Sequence, residues 1–433
     1  MAAENPRQIA VRVLQRHADG HGYVEELLEE SLQKTPLKPV DRRLVQELTY
    51  GVVRWRATLD WLIARKTEGR TQKPLLQILL RLGFYQMLWL DRIPDHAIVN
   101  ESVQLAKDFG LGPQAGFVNA VLRGYLRDRE ETRRALDELK SSQPALGYSH
   151  PEWLCERWRR RWGDEKLRQL LEWNNTPPIT YARLNTLKTD AVQLAAQWEK
   201  EEVQFAPVQI DWANEGLVYE LKSHPPLATL PSFRRGLFYA QDPSTVLAVQ
   251  MLDPQPGESV FDLCAAPGGK TTYLAQRIGN RGRIVAHDPQ PGRLRLLREN
   301  CERLGVTCVD FSGLTLLDFP ESKITFDRVL VDVPCSNTGV LRRRVDLRWR
   351  VRPEEIQRLR IQQMKLLDNA AIQVKPGGVL VYSTCSLEPE ENGEVVKEFL
   401  EVHSDIRLES ERELLPFVEA MDGAYVARMT CQT

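Results

Sequence analysis

Apolar residues recur at helical spacing through the first 127 positions of the chain. Ile9, Val13 and Leu14 share one face, Leu75, Leu79 and Leu82 another, and Val99, Val103 and Ala106 a third, the pattern of amphipathic helices. Breaks fall at Pro36–Pro39, Thr71–Pro74, Ile93-Pro94 and Gly110–Pro113, so the sequence predicts several helices packed as a bundle. Residues 128–150 are polar and charged and read as a helical linker. A mixed segment follows, with a helix predicted over Glu152–Trp173, a turn over Asn174–Pro178 and a strand over Ile179–Leu184.

After Gly236 the periodicity changes. Apolar runs of four to six residues alternate with helical stretches, the sign of parallel βαβ units. The predicted order is a strand over Ser259–Leu263, a Gly-rich turn, a helix over Lys270–Ile278, a strand over Arg283–Ala286, a strand over Arg328–Val331 and a last apolar run at Val379–Val381. The expected class is therefore α/β in three parts. A helical domain occupies residues 1–140, a small α+β connector 141–235, and a Rossmann-like domain 236–433.

Composition narrows the setting. A chain of 433 residues can build two or three domains with cores of their own. No run approaches the roughly 20 apolar residues of a membrane span, and the first residues lack the apolar stretch of a secretory signal. The expectation is a cytoplasmic, monomeric protein without membrane contact. The seven cysteines include no pair at zinc-knuckle spacing, which argues against a disulfide framework and a structural metal. His96 has no second ligand at useful spacing and reads as a packed or capping residue.

The formal net charge of −1 argues against a bulk polyelectrolyte binder, but charge is clustered. Six arginines fall within residues 342–352, interrupted by Asp346 and Trp349. Such a basic–aromatic run suits phosphate contact and base stacking. Arg157–Trp162 is a second such run, which reads equally well as a solvated helix face with buried tryptophans.

The chemistry lies at the strand ends. Val260-Phe261 leads into Asp262-Leu263-Cys264-Ala265-Ala266-Pro267-Gly268-Gly269-Lys270, and Asp288 follows the next strand. A Gly-rich turn lets a ligand approach the backbone, and an acid after the second strand can accept ribose hydroxyls. An ATPase loop would need a glycine where Cys264 stands, and Pro267 removes an amide donor. The turn suits S-adenosylmethionine, which has no phosphate to neutralise.

Two further strands lead into Asp332-Val-Pro-Cys335-Ser-Asn-Thr-Gly339 and Tyr382-Ser-Thr-Cys385-Ser386. A cysteine is most often a small buried hydrophobe, yet two at neighbouring strand ends fit covalent catalysis. Thiolate addition to carbon 6 of a pyrimidine makes carbon 5 nucleophilic enough to take a methyl group. Asp332 is placed to contact the pyrimidine edge or the cofactor.

At these residues the chain resembles the RNA 5-methylcytosine methyltransferases of the Nol1/Nop2/Sun type. The matching pieces are Cys264–Lys270, Asp332–Gly339, Ser383–Asn392 and Asp422–Arg428, with Gln241–Thr245 at the opening of the domain. Gln46–Trp55, Leu82–Gln86, Ile93–Ala97 and Phe117–Arg123 resemble the NusB-type RNA-binding domain. The resemblance implies a Rossmann-like methyltransferase domain preceded by a NusB-like bundle, S-adenosylmethionine as cofactor, and 16S ribosomal RNA as partner. It also implies that Cys385 attacks, Cys335 assists release, and Cys264, Ala265, Ala266, Pro267, Gly268, Gly269, Lys270, Asp288 and Asp332 line the cofactor site. Residue logic alone does not rank the two cysteines.

Three positions depart from the family pattern. The usual Gly-Asp on the adenine side reads Gly313-Leu314, with Asp310 as a nearby substitute. The usual Arg-Arg-His/Asn-Pro-Asp reads Arg342–Asp346, and Val333 replaces an alanine. The first departure keeps open a non-catalytic RNA-binding assembly factor. The same chemistry on transfer RNA or 23S ribosomal RNA is the other alternative.

Overall fold

Proline and glycine punctuation sets most helix boundaries in the N-terminal part. In a computed structural model describing residues 5–312 and 325–432, helices start at Pro6, Pro39 and Pro74. Proline suits this position because the first helical N–H has no partner to lose. The others in this region are Val24–Lys34, Arg56–Lys66, Asp95–Asp108 and Ala115–Arg127. All four predicted breaks separate helices. The linker 128–150 forms a helix over Arg129–Ser142 and a short turn of helix at Pro144–Gly147.

One compact unit runs to Thr176 and takes in Leu341–Arg350 from far along the chain. Its core buries Ile9, Val13, Leu48, Val52, Leu59, Leu79, Leu82, Phe84 and Leu122, and Val345 of the returning segment joins it. Gly51 permits close helix packing: a Cβ there would lie 1.9 Å from the Tyr85 ring. The helix predicted over Glu152–Trp173 extends over Glu152–Asn175, broken at Gly163 with φ 80°. In the run Arg157–Trp162, Trp158 is buried while Arg159 and Arg160 pair with Glu156. His96 is exposed in the first turn of Asp95–Asp108, so it is not a packed residue.

The second unit comprises Pro177–Val340 and the residues from Val351 onward. It begins with strands β1 Thr180–Leu184, β2 Gln204–Pro207, β3 Val218–Ser223 and β4 Phe238–Ala240. These form an antiparallel sheet in the order β2-β3-β1-β4. Trp198, on the helix Ala191–Lys200, packs beneath it against Phe205, Tyr219 and Phe238.

A seven-stranded sheet follows, built from β5 Ser259–Asp262, β6 Arg283–His287, β7 Val309–Ser312, β8 Phe326–Asp332, β9 Val374–Thr384, β10 Ile406–Leu414 and β11 Ala424–Cys431. Its order is β10-β11-β9-β8-β5-β6-β7. Strands β5 to β9 run parallel to one another, as the short apolar runs predicted for β5, β6, β8 and β9. The antiparallel edge β11-β10 was not anticipated. Strand β5 has β6 on one side and β8 on the other, so the crevice beyond its carboxyl end is the expected ligand position. Among the described residues no helix is long and apolar enough to cross a membrane, and no cluster of three metal-ligating side chains occurs.

Candidate active site

Strands β8 and β9 are parallel neighbours with Asp332 opposite Ser383. The chain therefore leaves both at the same end, and their following loops meet. The Sγ atoms of Cys335 and Cys385 lie 3.2 Å apart. The Cys385 thiol also donates to Asn337 Oδ1 at 3.1 Å. Asn337 adopts φ 59°, a left-handed conformation that asparagine tolerates better than most residues. Cys335 is buried and Cys385 partly exposed. The hydrogen bond to Cys385, then burial, push the Cys335 thiol well above its usual range. Its contact with the neighbouring sulfur and its burial thus favour the protonated thiol at Cys335.

Beside the thiols, Lys270 Nζ lies 2.7 Å from Asp332 Oδ2, and Ser383 Oγ donates to Asp332 Oδ1 at 2.7 Å. Burial alone would lower the Lys270 ammonium, but Asp332 outweighs it and the net shift is upward. An ionised Cys385 adds to that stabilisation. Lys270 therefore remains a cation paired with Asp332.

Two more carboxyls stand at adjacent strand ends. Asp288, just past β6, is 3% exposed, accepts from Gln290 N–H and faces Arg293 at 3.3 Å. Asp262, ending β5, is fully buried; Thr271 donates to its Oδ2, and its Oδ1 has no protein partner. Burial raises its carboxyl to about 7 against the opposing Thr271 bond, with Asp332 and Asp288 adding to the rise. Three acids against Lys270 and the more exposed Arg293 favour a ligand carrying positive charge and hydroxyls, and oppose a polyphosphate. The donor set fits S-adenosylmethionine in that respect.

Gly268 has φ 105°, and a Cβ there would strike Leu297 at 2.4 Å. A Cβ on Gly269 would crowd Gln241 and Tyr239. Both glycines thus lie close against neighbouring side chains of the fold. Ala265 and Ala266 are buried, Cys264 is partly exposed, and Pro267 is exposed with its carbonyl accepting from Asn300. The Ala265 N–H donates to His287 O, tying the turn to the end of β6.

Sequence reasoning missed three supports of this site. Arg183 on β1 is buried, stacks 4.8 Å from the Tyr273 ring, and donates to Gly269 O at 2.6 Å and Thr272 Oγ1 at 3.1 Å. It fixes the start of the helix Gly269–Arg277. Glu391 and Asn392 lie inside a motif already noted, but no feature of their spacing signals burial. Glu391 is 0% exposed, and Asn392 bridges Thr384 Oγ1 and Ser386 O.

The arginine run is only partly a contact surface. Arg342 and Arg348 are buried, while Arg344, Arg350 and Arg352 are exposed. Arg342 stacks 4.0 Å from the Trp173 ring. Arg348 donates to Ser149 O, Asn174 O and Asn175 Oδ1. Asp346 accepts from Val24 N–H at 3.0 Å, capping the helix Val24–Lys34 from the returning segment. These residues build the first unit and are unavailable to phosphate. Gly313-Leu314 lies outside the described residues. Asp310 is exposed and pairs with Arg283 at 2.7 Å, near the amino end of β6, so it does not substitute at the cofactor site.

Comparison with known proteins agrees with this layout. Residues 4–127 match the NusB family, 150–222 the ferredoxin-like domain of RsmF/B-like methyltransferases, and 249–430 the 16S rRNA methyltransferase RsmB/F family. A Synechocystis protein named probable ribosomal RNA small subunit methyltransferase B is 40% identical over 93% of this chain and 90% of its own. The Vibrio cholerae ribosomal RNA small subunit methyltransferase B is 36% identical over 99% of this chain and 98% of its own. The solved structure of PH0851 superposes with a TM-score of 0.80 at 26% identity, covering 98% of both chains. A methyltransferase homologue from Pyrococcus horikoshii gives 0.59 at 33% identity over 68% of this chain and 98% of its own. With a NusB-like bundle, a Rossmann-like sheet and relatives aligned along nearly its whole length, the chain belongs to the 16S rRNA methyltransferase RsmB/F family.

Proposed function

We propose that this protein methylates carbon 5 of one cytidine in 16S ribosomal RNA, through a covalent cysteine adduct at carbon 6. The observation that carries the reading is the 3.2 Å contact between Cys335 and Cys385 beside an acid-rich strand-end crevice. The relatives' name, ribosomal RNA small subunit methyltransferase B, supports the choice of RNA. When bound, S-adenosylmethionine supplies a methyl group on a sulfonium centre.

The Cys385 sulfur adds to carbon 6, and the displaced electron pair makes carbon 5 enamine-like. Carbon 5 then takes the methyl group and its proton leaves to water. The carbon 6–sulfur bond breaks with its pair returning to Cys385. Cys335, which retains its proton, donates a hydrogen bond to the departing sulfur. Lys270 orients Asp332 toward the pyrimidine edge. Residues Cys264 to Lys270, Asp288 and Asp332 hold the cofactor. The target cytidine must be unpaired or flipped out of its helix to reach the thiols. The NusB-like bundle contributes RNA affinity, and the protein acts as a cytoplasmic monomer.

Purified protein, 16S RNA lacking the modification and labelled S-adenosylmethionine test the reading directly. The expected product is a single 5-methylcytosine located by bisulfite sequencing. Absence of that product, with the cofactor bound in calorimetry, would refute the substrate. Absence of cofactor binding at millimolar concentration would instead favour the non-catalytic assembly factor.

A further inference from the structure

We propose that Glu391 is a positioning residue that sets the separation of the two thiols, an inference that rests on the two-cysteine reading above. Each reactive cysteine is followed by a serine, Ser336 after Cys335 and Ser386 after Cys385. Both serine hydroxyls donate to Glu391 Oε2, the one from Ser386 at 2.5 Å, and the two hydroxyls are themselves 3.0 Å apart. Glu391 Oε1 accepts from the Ser336 N–H at 2.9 Å and from Gln363 Nε2 at 3.0 Å. The same Gln363 nitrogen donates to Pro334 O, immediately before Cys335.

One carboxylate thereby clamps both loops within one residue of each sulfur. It is 0% exposed and has no ion pair among the described residues; Ser336, Ser386 and Gln363 offer it neutral donors. Burying a carboxylate without a cation is costly unless its oxygens are filled by hydrogen bonds, as four donors do here. Its own position is fixed too. Tyr382 donates to Glu391 O at 2.7 Å, and Asn392 bridges Thr384 and Ser386 O. Strand pairing alone brings the loops to the same end of the sheet; the carboxylate joins them.

Glu391→Gln keeps the shape but replaces one acceptor oxygen by a donor, so two of the four donors lose their acceptor. The full-length variant should show kcat for methyl transfer reduced on the order of 100-fold, the effect of a 1 Å misplacement of a reacting group. The KM values for RNA and cofactor should stay within about twofold of the parent. A second readout needs no catalysis. Diamide oxidises two thiols to a disulfide, taking up both protons and both electrons as it becomes the hydrazine. Disulfide formation between Cys335 and Cys385, read by mass spectrometry, should slow about tenfold or more in Glu391→Gln. Ser386→Ala, which removes one contact and leaves the carboxylate, should fall between parent and Glu391→Gln in both assays. Unchanged kcat and unchanged oxidation rate in both folded variants would overturn the positioning role, even with Cys385→Ala inactive. Slowed oxidation with Cys385→Ala still active would keep the clamp and refute the catalytic reading instead.

Discussion

Cys335 and Cys385 hold their sulfur atoms 3.2 Å apart across 50 residues of sequence, with Cys335 the more buried member. The mechanism proposed above gives the two thiols unequal work, because a buried protonated thiol is a hydrogen-bond donor and a poor nucleophile. Cys385→Ala should abolish methyl transfer. Cys335→Ala should still attack but release slowly, accumulating an RNA–protein adduct that survives denaturation. Labelled RNA on a denaturing gel distinguishes the two, and the opposite pattern would exchange the roles.

Asp332 is the counter-charge of a largely buried lysine, with Lys270 Nζ 2.7 Å away. Asp332→Asn leaves that ammonium uncompensated. Because the acid is about one third exposed, the expected cost in stability is about 2 kcal/mol, below that of a fully buried pair. Methyl transfer should fall by about 100-fold or more. Urea unfolding and single-turnover kinetics measure the two losses separately. Full activity in the variant would remove Asp332 from the site.

Asp262 predicts a pH signature. Its carboxyl is raised by burial to about 7, from the usual carboxylate value near 4. A group raised on folding stabilises the protein fully below about pH 4 and loses that contribution as pH rises through about 7. Asp262→Asn removes this titration. Stability of the variant relative to the parent should therefore increase between pH 4 and 8, by up to about 4 kcal/mol. Urea melts of both proteins at pH 5 and pH 8 check the sign, and a constant difference would show that Asp262 titrates normally.

Two arginines of one run should behave differently. Arg348→Met removes the donor to Ser149 O, Asn174 O and Asn175 Oδ1 from a fully buried position. The expected loss is about 3 kcal/mol of stability. Arg344→Ala alters an exposed side chain, so stability should stay within about 0.5 kcal/mol. RNA affinity should weaken, with a salt dependence shallower by about one charge. Thermal melts and filter binding over a salt series test the contrast.

Local pattern carried much of this protein. Helical spacing and proline breaks place the bundle, and short apolar runs place β5, β6, β8 and the core of β9, because backbone periodicity and side-chain exclusion from water act over a few residues. The residue types after those strands were enough to point to a ribose-binding acid and a thiol nucleophile. Strand order decided what distance in sequence conceals: parallel pairing of β8 with β9 brings Cys335 to Cys385 and Asp332 to Ser383. Burial decided the rest. Arg348 reads as a phosphate contact in the sequence and nothing there signals that Glu391 is buried; each is buried where hydrogen-bond partners from remote segments meet its polar atoms. A charge survives inside a protein only where such partners converge, and convergence is a property of the folded chain.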